Sequence, residues 1–155
     1  MRFEAVRADS PHAEAMLTGY FASRELGFVG GTYRIVRPDP ARFEPPAGVF
    51  LLVRDDADSV VGCGGVRRID DADDLIRYEV KHLWLREETR GRGWGRALLA
   101  ELEARATAFG ARILVLDTND SLTAAGALYR SAGFASVPPY NDNVNATTWY
   151  AKTLA

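Results

Sequence analysis

The apolar positions of this chain change period along its length, and those changes divide it into elements. RFEAVR (2–7) alternates apolar and polar residues as a short strand does. Ser10-Pro11 then opens a helix, with serine as the N-cap and proline at the first helical position. Met16, Leu17, Tyr20, Phe21 and Leu26 recur at helical spacing, which predicts a helix over 11–26. The stretch 27–48 is rich in glycine and proline and long for a simple connection, the mark of a binding loop. VFLLVR (49–54) and VVGCGGVRRI (60–69) flank the polar turn DDADS and predict a hairpin. DDADD (70–74) reads as a second solvated turn, because its carboxylates and lack of glycine do not match a calcium loop.

YEVKHLWL (78–85) is the next strand, and RGRGWGRALL (90–99) carries the chain from it into a helix. Leu98, Leu99, Leu102, Ala106 and Phe109 form one stripe of that helix, predicted over 94–109 and stopped by Gly110. RILVLD (112–117) is a short buried strand. Asp120 or Ser121 then caps a helix over 122–132 that ends at Gly133. FASV (134–137), a Pro-Pro loop and a final strand TTWYAKTL (147–154) follow. An early helix and hairpin, then strand–helix–strand–helix–strand, describe an α/β fold with a mixed sheet covered by helices.

Composition narrows the function. At 155 residues, 47% hydrophobic and 26% charged, the chain predicts one soluble domain, 1–155, with a sizeable core. A net charge of -2 argues against a nucleic-acid binder, so any anion recognition must be local. No apolar run approaches the roughly 18 residues needed to span a membrane. The first residues lack the apolar core of a signal peptide, which makes the cytoplasm the expected location. Cys63 is the only cysteine, which excludes an intrachain disulfide and a cysteine-based zinc site. Its apolar neighbours predict a small core thiol and not a nucleophile, and no metal site is expected.

The glycine-rich turn is the strongest chemical signal. A strand entering such a turn and then a helix directs successive backbone N–H groups at one point, where the helix dipole adds positive potential. That is a phosphate or pyrophosphate site. A P-loop would need Lys-Ser or Lys-Thr after Gly95, where Arg96-Ala97 stands. A dinucleotide fingerprint starting at Gly91 would need glycine at Arg96, although Asp117 after the next strand suits a ribose contact; this reading is weakened and stays open. The pattern Arg/Gln-x-x-Gly-x-Gly/Ala is met completely by Arg90, Gly93 and Gly95. With Tyr129, Gly133 and Phe134 in LYRSAGF (128–134), the chain resembles the GNAT superfamily of acyl-CoA-dependent N-acyltransferases.

The resemblance implies a mostly antiparallel central sheet, helices on both faces, and two splayed parallel strands at its centre. Backbone amides of Gly91, Arg92, Gly93, Trp94, Gly95 and Arg96 would hold the pyrophosphate of acetyl-CoA, with Arg90 and the other arginine side chains secondary. The strand Leu83, Trp84 and Leu85 would pair through its backbone with the pantetheine arm. Family members often carry an asparagine seven positions before the tyrosine; here that residue is Leu122, and Asn119 either replaces it or only caps the turn.

Acyl transfer to an amine needs a neutral nucleophile and a proton for the departing thiolate. Tyr129 matches the family's tyrosine and is expected to be the acid, since a phenol stays protonated at neutral pH. Glu79 lies eleven positions before Arg90, where many members carry a glutamate, and is the candidate base; an ion pair with Lys81 or Arg77 is the competing role. Alternation turns His82 to the face opposite Glu79 and Lys81, as a packing or surface residue. The acceptor wall is expected from 20–35 and 137–146, with Tyr20, Glu25, Tyr33, Arg34, Tyr140 and Asn141 as lining candidates, while Phe21, Phe28 and Trp149 read as core.

These readings converge on an N-acetyltransferase passing an acetyl group from acetyl-CoA to a primary amine of a small molecule or peptide, by direct transfer in a ternary complex. A homodimer is compatible with that reading, and neither nucleic acid nor membrane is an expected partner. The alternative of another class is a catalytically silent acyl-CoA-binding regulatory module.

Overall fold

Alternating apolar residues on the strands and apolar stripes on the helices meet in two layers of core, one on each face of a single sheet. The computed structural model describes residues 1–29 and 31–155. Among them the strands are β1 (Arg2–Val6), β2 (Gly48–Arg54), β3 (Val60–Ala72), β4 (Leu75–Leu85), β5 (Ile113–Thr118), β6 (Ala135–Val137) and β7 (Thr148–Thr153). The helices are α1 (Pro11–Gly27), α2 (Trp94–Ala108) and α3 (Thr123–Ser131). The sheet order is β1-β2-β3-β4-β5-β7-β6, antiparallel throughout except for the central pair β4 and β5.

One face carries α1, whose Ala13, Met16, Leu17 and Phe21 bury against Phe43, Phe50, Leu52 and Cys63. The other carries α2 and α3, where Leu98, Leu99, Leu102 and Tyr129 pack with Leu51, Val66, Leu114 and Tyr150. Gly65 on β3 marks a close approach to the α1-side core: a Cβ there would lie 2.8 Å from the Phe43 ring. Among the described residues no helix is long and apolar enough to cross a membrane.

Local chemistry accounts for most element boundaries. The Ser10 side chain accepts a hydrogen bond from the Ala13 N–H at the head of α1, and Gly110 (φ 102°) and Gly133 (φ 96°) turn the chain after α2 and α3. Two expectations need correction. Neither Asp120 nor Ser121 caps α3: its N-cap is Leu122, with no side-chain cap, because the Asp120 carboxylate is taken by the Thr148 hydroxyl. The acidic run 70–74 is only partly a turn. β3 continues to Ala72, and the reversal is made at Asp73 and Asp74, both at positive φ.

Candidate active site

The parallel pair at the sheet centre holds together only briefly. Arg77, Tyr78 and Glu79 of β4 are in register with Ile113, Leu114 and Val115 of β5. Beyond Glu79, β4 runs on to Leu85 and β5 to Thr118 without pairing. The strands therefore splay, as the resemblance implied, and a cleft of about 330 Å³ opens between them. Leu83 on one strand and Leu116, Asp117 and Thr118 on the other line it. The backbone edge of β4 that faces the cleft is free to pair with an extended ligand.

Between the end of β4 and the start of α2 the chain makes the glycine turn. Gly91 and Gly93 both have φ near 79°, a conformation that costs an L-residue about 1–2 kcal/mol. A Cβ at either would meet nothing within 4 Å, so glycine is required by backbone angle and keeps the space above the turn clear. Gly93 is the N-cap of α2 and offers no side-chain acceptor, which leaves the first-turn N–H groups of that helix without a side-chain cap. A helix N-terminus of this form can accept an anion. The arginines have other partners: Arg90 donates to the Leu85 carbonyl, Arg92 lies over the Trp94 ring and Arg96 donates to the Ser131 hydroxyl.

Tyr129 descends from α3 into the cleft, its ring against Phe134 and Tyr150. Burial pushes its phenol pKa up to about 12, a rise that the nearby Arg24 charge reduces. It is thus protonated at neutral pH and placed at the wall between the strands. Asn119 also lines the cleft; its Oδ1 accepts from the Ser121 N–H and its Nδ2 donates to the Asn145 carbonyl. It therefore does cap the turn while facing the cleft. Of Leu83, Trp84 and Leu85, only Leu83 lines the cleft, and it also packs against the α2-side core. Trp84 packs over α1, where a Cβ on Gly19 would lie 2.5 Å from its ring, and Leu85 joins the α2-side core.

Glu79 stands differently from expectation. Its side chain is 1% exposed, and Oε1 accepts from Arg67 Nε and Nη2 at 3.1 and 2.9 Å. Oε2 accepts from the Tyr140 hydroxyl at 2.6 Å. The ion-pair partner is therefore Arg67, directly across the ladder on β3, and neither Lys81 nor Arg77. Lys81 pairs instead with Asp117 at 3.6 Å, and Asn141 donates to Asp117 at 2.8 Å. Glu79 does not itself line the cleft; Asp117 does, and sequence reasoning considered Asp117 only as a ribose ligand. Burial and the neighbouring Glu79 charge push the Tyr140 phenol far up, so it remains a donor.

His82 is a second correction. Gly65 pairs with Lys81 and Cys63 with Trp84, so Gly64 alone spans both His82 and Leu83: a β-bulge, with His82 at φ 58°. The extra residue resets the alternation. His82 consequently shares the α1 face with Lys81, among Tyr20, Phe21 and Phe43. Burial first, then the Lys81, Arg67 and Arg24 charges, lower its pKa to about 3. Cys63 is buried with its thiol directed at the His82 carbonyl, and burial raises its pKa, as suits a core thiol.

The expected acceptor walls do meet. Asn145 clamps Arg34 by both backbone groups, receiving from its N–H at 2.9 Å and donating to its carbonyl at 2.7 Å. Tyr20, Tyr33, Arg34 and Asn141 line the cleft, whereas Glu25 and Tyr140 do not. Phe28 lines the cleft too, half-buried against Tyr33, and Trp149 is half-buried with its N–H on Asn141, so neither is a core aromatic. Both depend on loop contacts that periodicity does not encode.

A splayed parallel pair followed by a glycine-capped helix is the fold that the sequence resemblance implied. Residues 18–134 match the model of the Acetyltransferase (GNAT) family, and the chain belongs to that family. An uncharacterized N-acetyltransferase of Schizosaccharomyces pombe is 34% identical over 102 residues. The matched stretch covers 66% of this chain and 61% of that relative, less than two thirds of the relative's length. The fold is similar to that of a GNAT-family acetyltransferase from Staphylococcus aureus, with TM-score 0.81 at 17% identity over 99% of this chain and 100% of that one. It is also similar to a GNAT-family acetyltransferase from Elizabethkingia anophelis with acetyl-CoA bound, with TM-score 0.64 at 17% identity over 99% and 97%.

Proposed function

We propose that the protein is an N-acetyltransferase that moves an acetyl group from acetyl-CoA to a primary amine of a small molecule or peptide, directly and within a ternary complex. The observation that carries this reading is the cleft between β4 and β5, with Tyr129 on its wall, together with the glycine turn that follows β4 and caps α2. The backbone amides of 91–96 would hold the pyrophosphate, and the free edge at 83–85 would align the pantetheine amides. When bound, acetyl-CoA supplies the activated acyl carbon.

Nitrogen attack on that carbon forms the C–N bond and breaks the C–S bond. Tyr129 gives its phenolic proton to the departing thiolate, and the proton lost by the amine nitrogen restores the phenol, directly or through solvent. Arg67 and Tyr140 occupy the carboxylate oxygens of Glu79. Its proposed service to the amine is therefore indirect, through Asn141, which lines the cleft and lies 3.5 Å from Glu79 Oε2. A buried thiol at Cys63, directed at a backbone carbonyl, supports direct transfer over a cysteinyl intermediate.

Two measurements test this. Acetyl-CoA should raise the thermal unfolding temperature while NAD(H) and ATP do not. A thiol-release screen over amines should then find turnover. Acetyl-CoA binding with no turnover on any amine would favour the silent regulatory module.

A further inference from the structure

The charge lining the cleft is lopsided. Arg24, Arg34, Arg37, Arg67 and Lys81 all contribute to its wall, against the single carboxylate of Asp117. Three of the cations have partners: Arg67 has Glu79, Lys81 has Asp117, and Arg37 lies 3.9 Å from Glu14. Arg24 and Arg34 have no carboxylate partner among the described residues.

Arg24 is the better placed of the two. It is half-buried in the last turn of α1, and its guanidinium lies over the Tyr20 ring, 4.7 Å from the centroid. Stacking of this kind holds the fork in place without consuming its N–H donors. Its charge is felt at Tyr33, His82 and Tyr129, all on the cleft wall: it adds to the lowering at His82 and offsets part of the rise that burial gives the two tyrosines. The glycine turn at 91–96 is not part of this chamber, so the pyrophosphate has its own site and does not use this charge. A half-buried guanidinium, pre-oriented by an aromatic ring and facing a chamber, is suited to a planar oxyanion gripped by two parallel N–H donors. A polycation would meet uncompensated positive charge in the same place.

On the footing of the acetyl-transfer reading, we infer that the acceptor amine carries an anionic group of the carboxylate type, and that Arg24, seconded by Arg34, receives it. This makes Arg24 a specificity-determining residue. It also selects amino-acid-like amines over diamines and polyamines.

The test compares kcat/KM for the common amino acids, their amides and aliphatic diamines, in wild type and Arg24→Gln. Acetyl-CoA binding is followed in parallel by thermal shift. The expected result is a preference for a carboxylate-bearing amine over its own amide of about tenfold or more, the worth of one charge-assisted contact. Arg24→Gln should remove that preference through KM while the acetyl-CoA shift persists. Arg24→Lys, which keeps the charge and loses the fork, should retain part of it. Amides or diamines acetylated as well as acids, or a preference unchanged in Arg24→Gln, would overturn the inference and leave acetyl transfer standing. No acetyl-CoA shift, or no turnover on any amine, would instead remove the transfer reading and this inference with it.

Discussion

Replacing Tyr129 by phenylalanine separates chemistry from architecture. The substitution keeps the ring against Phe134 and Tyr150 and deletes only the hydroxyl that faces the cleft. If that hydroxyl protonates the leaving thiolate, kcat should fall by about 10²–10⁴, the usual worth of a positioned acid. A hundredfold loss is about 2.7 kcal/mol of barrier. Acetyl-CoA affinity should hold if, as proposed, backbone amides supply the grip. The elevated pKa adds a second signature. With the folded pKa near 12 against an ordinary 10.0, the tyrosine's contribution to stability is intact below pH 10 and lost as pH rises toward 12. The variant should therefore unfold with a flatter pH dependence in that window. The assays are thiol release at saturating acetyl-CoA and thermal unfolding across pH. An unchanged kcat with the acetyl-CoA shift intact would refute Tyr129 as the acid.

Three further outcomes follow from the geometry. Gly93→Asp should lose the acetyl-CoA thermal shift; its Cβ meets nothing within 4 Å, so the free protein should lose only the backbone strain of about 1–2 kcal/mol, or a few degrees of Tm. Glu79→Gln leaves Arg67 without its partner and should cost about 2–3 kcal/mol, discounted because Arg67 is 25% exposed; a changed kcat pH profile would support its indirect base role, and an unchanged one would leave it structural. His82, neutral in the folded state down to about pH 3, contributes stability that is present above pH 6.5 and lost as pH falls toward 3. His82→Asn, which tolerates the positive φ, should flatten that acid limb in a denaturant titration.

The elements were largely readable because each writes a local signature. Ser10-Pro11 announces α1, the Leu98–Leu102 stripe gives α2, and Gly110 and Gly133 end their helices. The glycine turn was readable for the same reason, since two residues at positive φ force glycine into the sequence. The contents of the cleft were less so. Arg67 faces Glu79 only through strand register, and Tyr140 reaches it from a loop 61 residues away. The bulge at His82 inverted a prediction made from strict alternation, and only the ladder skip at Gly64 reveals it. Composition does contain one clue that went unused: Tyr20 and Arg24 lie one helical turn apart, the spacing that stacks a cation on a ring.

The three-pair ladder between β4 and β5 has a consequence for inhibition. Most sheets hide their unpaired edges at the outside, blunted by charge or proline. This one turns two of them inward, along 80–85 and 116–118. Such edges read amide spacing and strand direction more than side-chain identity. A short extended peptidomimetic, capped with an anion for the glycine turn, would compete for them without resembling a nucleotide.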